Sequence, residues 1–272
     1  IMDDFGTMED FDALLSKAHS LGIKVIMDLV VNHTSDEHEW FITSSSSRDN
    51  DKADWYIWRE KKNNWGACFG GSAWEWNEKR GEYYLHCFSV KQPDLNWENV
   101  DVRKAVYEMM RYWGDKGIDG FRMDVITMIS KDQNFPDGVK TGEYGDSSPY
   151  TNNGPRIHEF LKEMNREVIS RYDWLTVGEG AGARVEDTLL YTDPERKELN
   201  MIFSFEHMNY NKPSGENGWI EAPFSLPGYK KIYKKWQEGL SGRGWNTLYL
   251  ENHDQTRSVS RYGDTSTPEL WK

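Results

Sequence analysis

Residues 24–33 read KVIMDLVVNH, an apolar run that ends in an asparagine and a histidine. The first eight of these residues, Lys24–Val31, are rich in β-branched side chains, which is typical of a strand buried on both faces of a parallel sheet. Asn32 and His33 follow directly at the carboxyl end of that strand. The stretch therefore predicts a parallel α/β sheet whose carboxyl edge carries polar, chemically useful groups.

Helices and strands alternate around this stretch. Thr7 and Asp10 predict a capping box for an amphipathic helix over Met8–Leu21, which Gly22 ends. Beyond residue 100, the apolar pattern predicts helices over Val102–Lys116, Pro155–Tyr172 and Leu226–Leu240, and strands over Gly120–Val125, Leu175–Gly178, Asn200–Phe205 and Asn246–Leu250. Repeated strand–helix units predict either a doubly wound sheet or a (β/α)8 barrel.

Residues 34–100 differ from the rest of the chain. They are polar, rich in tryptophan and interrupted by glycine and asparagine, with short alternating segments such as Tyr83–Phe88. The stretch is too long for a loop inside a compact domain. We predict a small inserted lobe over residues 34–100, between two barrel segments formed by residues 1–33 and 101–272.

The composition excludes several classes of partner. The chain has 272 residues and a formal net charge of −12, which repels nucleic acid and anionic membranes, so we expect neither as a partner. No apolar run approaches the length of a membrane span, and no signal peptide is recognisable. The two cysteines, Cys68 and Cys87, favour a reduced cytoplasmic setting over a disulfide scaffold, although a single bridge stays open as an alternative.

Charged or imidazole groups follow four of the predicted strands. They are Asp28, Asn32 and His33; Arg122 and Asp124; Glu179; and His253 with Asp254. In a parallel barrel the carboxyl ends of the strands meet at one mouth, where active sites lie. A single carboxylate at a strand end also fits a helix cap, but the set together favours an active site.

Convergent carboxylates have two main chemical uses. One is a site for a hard cation, and the other is glycoside cleavage, in which one carboxylate attacks the anomeric carbon and another protonates the leaving oxygen. Arg122 lies two residues before Asp124, on the same strand face, and so favours the second use. A fixed cation there would stabilise the negative charge that a carboxylate nucleophile carries. His33 and His253 suit hydrogen bonding to sugar hydroxyls.

Five segments then resemble a known family. Asp28–His33 (DLVVNH), Gly120–Val125 (GFRMDV), Gly178–Glu179 and Asn252–Asp254 (NHD) are similar, in order and spacing, to the four signature regions of glycoside hydrolase family 13, the α-amylase family. Gln92–Asn96 (QPDLN) resembles its fifth region in the form found in oligo-1,6-glucosidases. The resemblance implies a partial (β/α)8 TIM barrel, about strands 3 to 7, with the inserted lobe after strand 3.

The resemblance also implies roles for individual residues. Asp124 becomes the nucleophile, Glu179 the general acid/base, and Asp254 the third carboxylate, which stabilises the distorted sugar and the transition state. The side chains implied to surround the glucose are His33, Phe69, Phe88, Gln92, Arg122 and His253. For the two phenylalanines, packing inside the lobe is an equal alternative. Asp28 is expected to be a structural partner of Arg122, and Asn32 to orient its loop.

The implied activity is retaining, exo-acting hydrolysis of α-1,6-glucosidic bonds in isomaltose and short isomalto-oligosaccharides. Val125 supports this linkage, because valine after the nucleophile accompanies α-1,6 preference in similar enzymes and alanine accompanies α-1,4, although valine also simply suits a strand. The expected partner is a small oligosaccharide. No cofactor is expected, and a calcium site in the loop after the first barrel strand, outside this chain, stays open.

Relatives with other activities remain alternatives. They are trehalose-6-phosphate hydrolases, α-1,4-glucosidases, sucrose isomerases and the non-catalytic heavy chains of amino-acid transporters. Sucrose isomerases carry an arginine-rich loop after the sixth strand, and Glu206–Lys212 (EHMNYNK) has no arginine. The non-catalytic relatives lack part of the catalytic set, which this chain retains. Thr256 and Gly180–Gly182 depart from common family residues beside the pocket.

The matched region omits barrel strands 1, 2 and 8. An open sheet of five strands has two edges with unpaired backbone groups. We therefore expect the isolated chain to be poorly stable and to turn over little substrate.

Overall fold

The computed structural model describes residues 1–140, 142–210, 223–263 and 266–267. Its strands, in chain order, are β1 (Ile26–Leu29), β2 (Trp58–Arg59), β3 (Trp74–Asn77), β4 (Glu82–Leu85), β5 (Gly120–Met123), β6 (Leu175–Gly180), β7 (Met201–Ser204) and β8 (Trp245–Asn246). Its α-helices are α1 (Met8–Ser20), α2 (Glu39–Ser46), α3 (Val100–Lys116), α4 (Ser148–Thr151), α5 (Ile157–Glu167), α6 (Val185–Thr192), α7 (Glu206–Asn209), α8 (Leu226–Leu240) and α9 (Ser258–Tyr262).

The main sheet is a parallel arc of five strands in the order β1-β5-β6-β7-β8. Each strand pairs with the next one along the chain, apart from the lobe strands inserted after β1. A doubly wound sheet reverses its strand order at a switch point, and this sheet does not. The sequential order is that of a barrel segment, which confirms the predicted partial (β/α)8 barrel.

The register aligns the carboxyl ends of these strands. Asp28 is paired with Arg122 across β1 and β5, and Met123 is paired with Gly178 across β5 and β6. Residues just beyond each strand therefore meet at one edge. The core beneath that edge is apolar and includes Phe121 and Phe160, both almost fully buried.

Local sequence signals account for several helix ends. The predicted capping box of α1 is confirmed, because Asp10 N–H donates to the Thr7 hydroxyl and Thr7 N–H donates to the Asp10 carboxylate. The predicted bounds of α8 match the observed ones. α3 ends at Gly117, which adopts the left-handed conformation that glycine tolerates without cost. None of the helices in the described ranges is long and apolar enough to cross a membrane.

The inserted lobe contains the antiparallel sheet β2-β4-β3 and the helix α2. A buried cluster that includes Trp65, Trp74 and Leu85 joins this sheet to Val125 and Phe135, which follow β5. The Trp65 indole donates to the Pro136 carbonyl at 2.8 Å. The lobe is thus fixed against the chain that carries the nucleophile candidate. The predicted boundaries at residues 34 and 100 stay predictions.

Several predicted elements are wrong in extent, among them the strand predicted over Lys24–Val31, which is only Ile26–Leu29. The strand predicted over Asn246–Leu250 is only Trp245–Asn246, and Leu248 and Leu250 are more than half exposed. The physical reason is that β8 has a sheet partner on one side only among the described residues, so its apolar side chains gain little from further pairing. The helix predicted over Pro155–Tyr172 tightens after Glu167 into a short 3-10 helix.

Candidate active site

Nine of the ten predicted site residues line one cleft at the carboxyl ends of the strands. The cleft has a volume of about 700 Å³. Its lining comprises His33, Phe69, Phe88, Gln92, Asp124, Val125, Glu179, Phe205, His253, Asp254, Gln255 and Thr256. The sequence analysis missed Phe205 and Gln255, which follow β7 and β8 and carry no motif of their own.

Arg122 is the predicted residue that does not line the cleft. Its side chain is 16% exposed and donates from Nη1 to Asp28 Oδ1 at 2.8 Å and to Asp124 Oδ1 at 2.6 Å. Its Nη2 donates to Glu179 Oε2. One guanidinium therefore bridges three carboxylates from three neighbouring strands. The predicted pairing of Asp28 with Arg122 is confirmed.

Glu179 is a buried carboxyl group with a strongly raised pKa. It is 7% exposed, and burial raises its pKa to about 7, with the nearby Asp124 carboxylate acting in the same direction. The Arg122 charge and the Val125 N–H oppose this rise. A carboxyl group that titrates near neutral pH can both donate and accept a proton there.

The backbone after β5 positions Asp124 and also contacts the carboxyl group of Glu179. The Asp124 N–H donates to the Leu29 carbonyl at 3.0 Å and so continues the ladder between β1 and β5. Val125 then adopts the left-handed conformation, with φ 34° and ψ 41°, and its N–H donates to Glu179 Oε2 at 3.2 Å. The Val125 side chain is buried in the lobe cluster and also faces the cleft.

His33 lies in a polar network at the end of β1. Its ring nitrogens contact the Gln92 and Asn32 side chains at 3.1 and 3.2 Å. Burial lowers the pKa of His33, with Asp94 and Asp124 opposing the shift. A neutral imidazole held in this way adds no charge to this part of the cleft.

A fully buried ion pair supports that network, and the sequence analysis missed it. Lys131 Nζ lies 2.7 Å from Asp94 Oδ2, and neither side chain is exposed. Lys131 also donates to Asn32 Oδ1 at 2.7 Å, and Asp94 Oδ1 accepts from the Cys87 N–H at 2.9 Å. Burial alone would raise the pKa of Asp94, but the Lys131 and His33 charges outweigh it and lower that pKa. The pair joins the loop after β5, the lobe and the end of β1.

Aromatic residues form the mouth of the cleft. Phe88 lies 5.3 Å from His33 and 5.7 Å from Phe69, measured between ring centroids. Phe69 is 74% exposed and is therefore not a core residue of the lobe. Phe88 packs against the lobe cluster and also lines the cleft, so sugar contact stays a prediction for it.

His253 and Asp254 follow β8 and complete the lining of the cleft. Their side chains are 68% and 56% exposed and lie 3.1 Å apart.

Both cysteines are free thiols, with Cys68 N–H donating to the Cys87 carbonyl. Within the described part of the chain, no group of three or more histidine, cysteine, aspartate or glutamate side chains is placed to hold a metal ion.

Two carboxyl groups that share one largely enclosed guanidinium, at the carboxyl edge of a barrel sheet, are an arrangement suited to glycoside cleavage. Residues 1–271 match the family described as "Alpha amylase, catalytic domain". The chain belongs to the α-amylase family.

Similar proteins cover nearly all of the chain. It is 59% identical to an oligo-1,6-glucosidase of Parageobacillus thermoglucosidasius and 53% identical to a trehalose-6-phosphate hydrolase of Bacillus subtilis (strain 168), with 97% of the chain covered in both. The crystal structure of Bacillus licheniformis trehalose-6-phosphate hydrolase is 52% identical over 98% of the chain, with a TM-score of 0.90. The chain spans 48%, 47% and 48% of these three proteins, which is about half of each.

Proposed function

We propose that the whole protein is a retaining, exo-acting α-glucosidase that hydrolyses α-1,6-glucosidic bonds in isomaltose and short isomalto-oligosaccharides. Asp124 is the nucleophile and Glu179 the general acid/base. The observation that carries the proposal is the shared guanidinium of Arg122, which bonds both carboxyl groups at once. Similarity to oligo-1,6-glucosidases at 59% and 56% identity supports the substrate.

The shared guanidinium favours retention of configuration. Retaining enzymes keep their two carboxyl groups about 5 Å apart, whereas inverting enzymes separate them by about 6.5 Å or more to admit a water molecule. Two carboxyl oxygens on neighbouring nitrogens of one guanidinium suit the shorter separation. Asp124 is then close enough to attack the anomeric carbon directly.

The proposed reaction has two steps. Glu179, protonated because its pKa is about 7, gives its proton to the glycosidic oxygen while Asp124 attacks, and a covalent β-glucosyl ester forms. Glu179 then takes a proton from water, which attacks the ester and releases α-glucose. The reaction needs only side chains and water, so no cofactor is proposed. Asp254 serves as the third carboxylate and stabilises the positive charge that develops on the sugar.

The cleft supports an uncharged substrate. Among the described residues, its lining includes two histidines but no lysine or arginine, and three of its members are carboxylates. A phosphate on the leaving sugar would meet a negative surface there. The Val125 side chain, which faces the same cleft, supports the α-1,6 preference.

Trehalose-6-phosphate hydrolysis is the second candidate, because a trehalose-6-phosphate hydrolase is 53% identical to the chain.

The loop proposed to separate hydrolases from sucrose isomerases, Glu206–Lys212, lies partly outside the described residues, since residues 211–222 are not described. The absence of arginine in its sequence supports hydrolysis.

The test is product release by the whole protein from isomaltose, maltose, sucrose and trehalose 6-phosphate. We expect glucose from isomaltose at the highest kcat/KM, and a loss of about 10³-fold or more in Asp124→Asn. An α anomer as the first product, measured by NMR, supports retention. Preference for trehalose 6-phosphate or maltose overturns the substrate but keeps the mechanism. Full activity of Asp124→Asn rejects the mechanism itself.

A further inference from the structure

Val125 has a backbone conformation that its residue type resists. Its φ of 34° and ψ of 41° are left-handed, and a β-branched side chain makes this conformation a genuine outlier. Strained backbone of this kind persists where surrounding contacts enforce it, and it is concentrated at functional sites. The side chain alone does not explain the strain, since valine packs equally well in extended backbone.

The strained residue begins a turn directly after β5. The chain follows β5 as far as Asp124, whose N–H still bonds the Leu29 carbonyl. The left-handed residue then turns the chain, and the Met128 N–H closes the turn on the Val125 carbonyl at 2.8 Å. The Val125 N–H lies at the start of this turn, one residue after the last ladder bond, and donates to Glu179 Oε2 at 3.2 Å.

Glu179 Oε2 therefore accepts from two donors, the Arg122 guanidinium and the Val125 N–H. A carboxyl oxygen has two in-plane lone pairs, and both are occupied by these bonds. The transferable proton then has to sit on the other oxygen, Oε1. Because Oε2 is held by donors from β5 and from the turn after it, Oε1 is the oxygen left to carry the proton. The Asp124 carboxyl group also hydrogen-bonds the Glu179 carboxyl group and raises its pKa.

We propose that the backbone amide of Val125 is a positioning group for Glu179: with Arg122 it reserves Oε2 as an acceptor and makes Oε1 the oxygen that delivers the proton. The proposal rests on the proposed role of Glu179 as acid/base. The same amide stabilises the carboxylate after the proton has left, so the carboxyl group keeps one orientation through both steps.

The charges that face Glu179 fix the direction of the expected effect. Arg122 and the Val125 N–H lower its pKa, Asp124 raises it, and the Glu179 charge in turn raises the pKa of Tyr249. Removing the Val125 donor destabilises the ionised form of Glu179. The pKa of Glu179 must then rise, and the basic limb of the activity profile, where Glu179 loses its proton, must move to higher pH.

The test replaces Val125 by its α-hydroxy acid in the whole protein, which changes one amide to an ester and removes the N–H alone. The readouts are the carboxyl titration of Glu179 by isotope-edited infrared spectroscopy and the pH profile of kcat/KM on isomaltose. We expect both to move up by about one pH unit. The matched control is the same ester at Met128, which removes the hydrogen bond from the Met128 N–H to the Val125 carbonyl. We expect this control to leave the Glu179 titration and the pH profile unchanged.

Val125→Gly supplies the second arm. Glycine adopts left-handed backbone without cost, so the amide at position 125 keeps its hydrogen bond to Glu179. The pKa of Glu179 is therefore expected to stay unchanged, even if loss of the side chain alters the linkage preference. An unchanged titration in the Val125 ester, or an equal shift in Val125→Gly or in the Met128 ester, overturns the proposal.

Two further results separate this inference from the proposed function. In the wild-type protein, the protonated Glu179 carboxyl should show the lowered C=O stretching frequency of an oxygen that accepts two hydrogen bonds. The frequency of a free carboxyl group would overturn the inference, and this measurement does not depend on whether the ester variant folds. A protein without glucosidase activity that nonetheless shows both infrared results rejects the proposed function and leaves the amide contact established.

Discussion

Loss of the buried charge of Lys131 should destabilise the protein far more than loss of any surface lysine. Lys131 and Asp94 are 2.7 Å apart with both side chains fully buried. Removing one member of such a pair leaves an uncompensated charge in the interior and costs about 3–5 kcal/mol. We expect Lys131→Met to fall in this range. Lys104→Met is the matched control, because Lys104 pairs with Asp101 at 3.0 Å while both are more than half exposed.

The control should change stability by less than about 1 kcal/mol, since surface pairs contribute little. Stability is measured on the whole protein by urea denaturation, followed by fluorescence of the chain's 13 tryptophans. A loss in Lys131→Met no larger than the loss in the control would refute the reasoning. Such a result would mean that water, or the hydrogen bonds from Cys87 and Asn32, stabilise the Asp94 charge without Lys131.

The pH dependence of the same variant provides an independent check. In the wild type, the pKa of Asp94 is lowered from 3.8, so its stabilising contribution is present above pH 4 and is lost as the pH falls through the folded-state pKa. In Lys131→Met, burial dominates and raises that pKa. The free energy of unfolding of Lys131→Met is then lowered above pH 4 by the unpaired charge of Asp94. It recovers in part as the pH falls, because Asp94 becomes protonated. The difference between the two proteins should therefore be smaller at pH 4 than at pH 7.

Three further results are expected. Glu179→Gln should lower kcat by about 10²–10⁴-fold and remove the basic limb of the pH profile, measured on isomaltose, because glutamine cannot supply the proton. Arg122→Met should raise the pKa of Glu179 above about 7, since it removes the cation that opposes the effect of burial, and the basic limb of kcat/KM should follow it upward. Thr7→Ala should cost about 1 kcal/mol in urea denaturation by breaking the capping box of α1, with no change in kcat.

The sequence predicted the barrel segment and most of the cleft because their signals are local. An apolar run followed by polar residues marks both a strand of a parallel sheet and its functional end, as in Lys24–His33. β1 is an edge strand here, with Ile26 exposed, so the burial expected on both faces is not observed. Nine of the ten predicted residues line the cleft. Six of them lie at or beyond the carboxyl ends of parallel strands, which meet at one edge, whereas Phe69, Phe88 and Gln92 of the lobe were predicted from the resemblance to the family. The residue outside the lining, Arg122, lies within β5, where its guanidinium is occupied by the carboxyl groups of Asp28, Asp124 and Glu179.

What the sequence did not reveal depends on contacts between distant segments. Lys131 follows an apolar stretch and reads as a surface lysine, and only the fold brings it to Asp94, 37 positions earlier. The backbone of Val125 contradicts the strand preference of valine, so no propensity rule could have predicted its left-handed turn. β8 is shorter than predicted because strand length depends on pairing as well as on side chains.

Arg122 also explains how one site can need a charged nucleophile and a neutral acid at the same time. It faces three carboxyl groups with a single positive charge, so the cluster retains a proton, and Glu179, the most buried of the three, holds it. In the proposed mechanism, formation of the glucosyl ester removes the charge of Asp124. The repulsion that raised the pKa of Glu179 then disappears while the attraction to Arg122 stays, so its pKa falls after the proton has been delivered. Glu179 is thereby ionised when the second step requires a base.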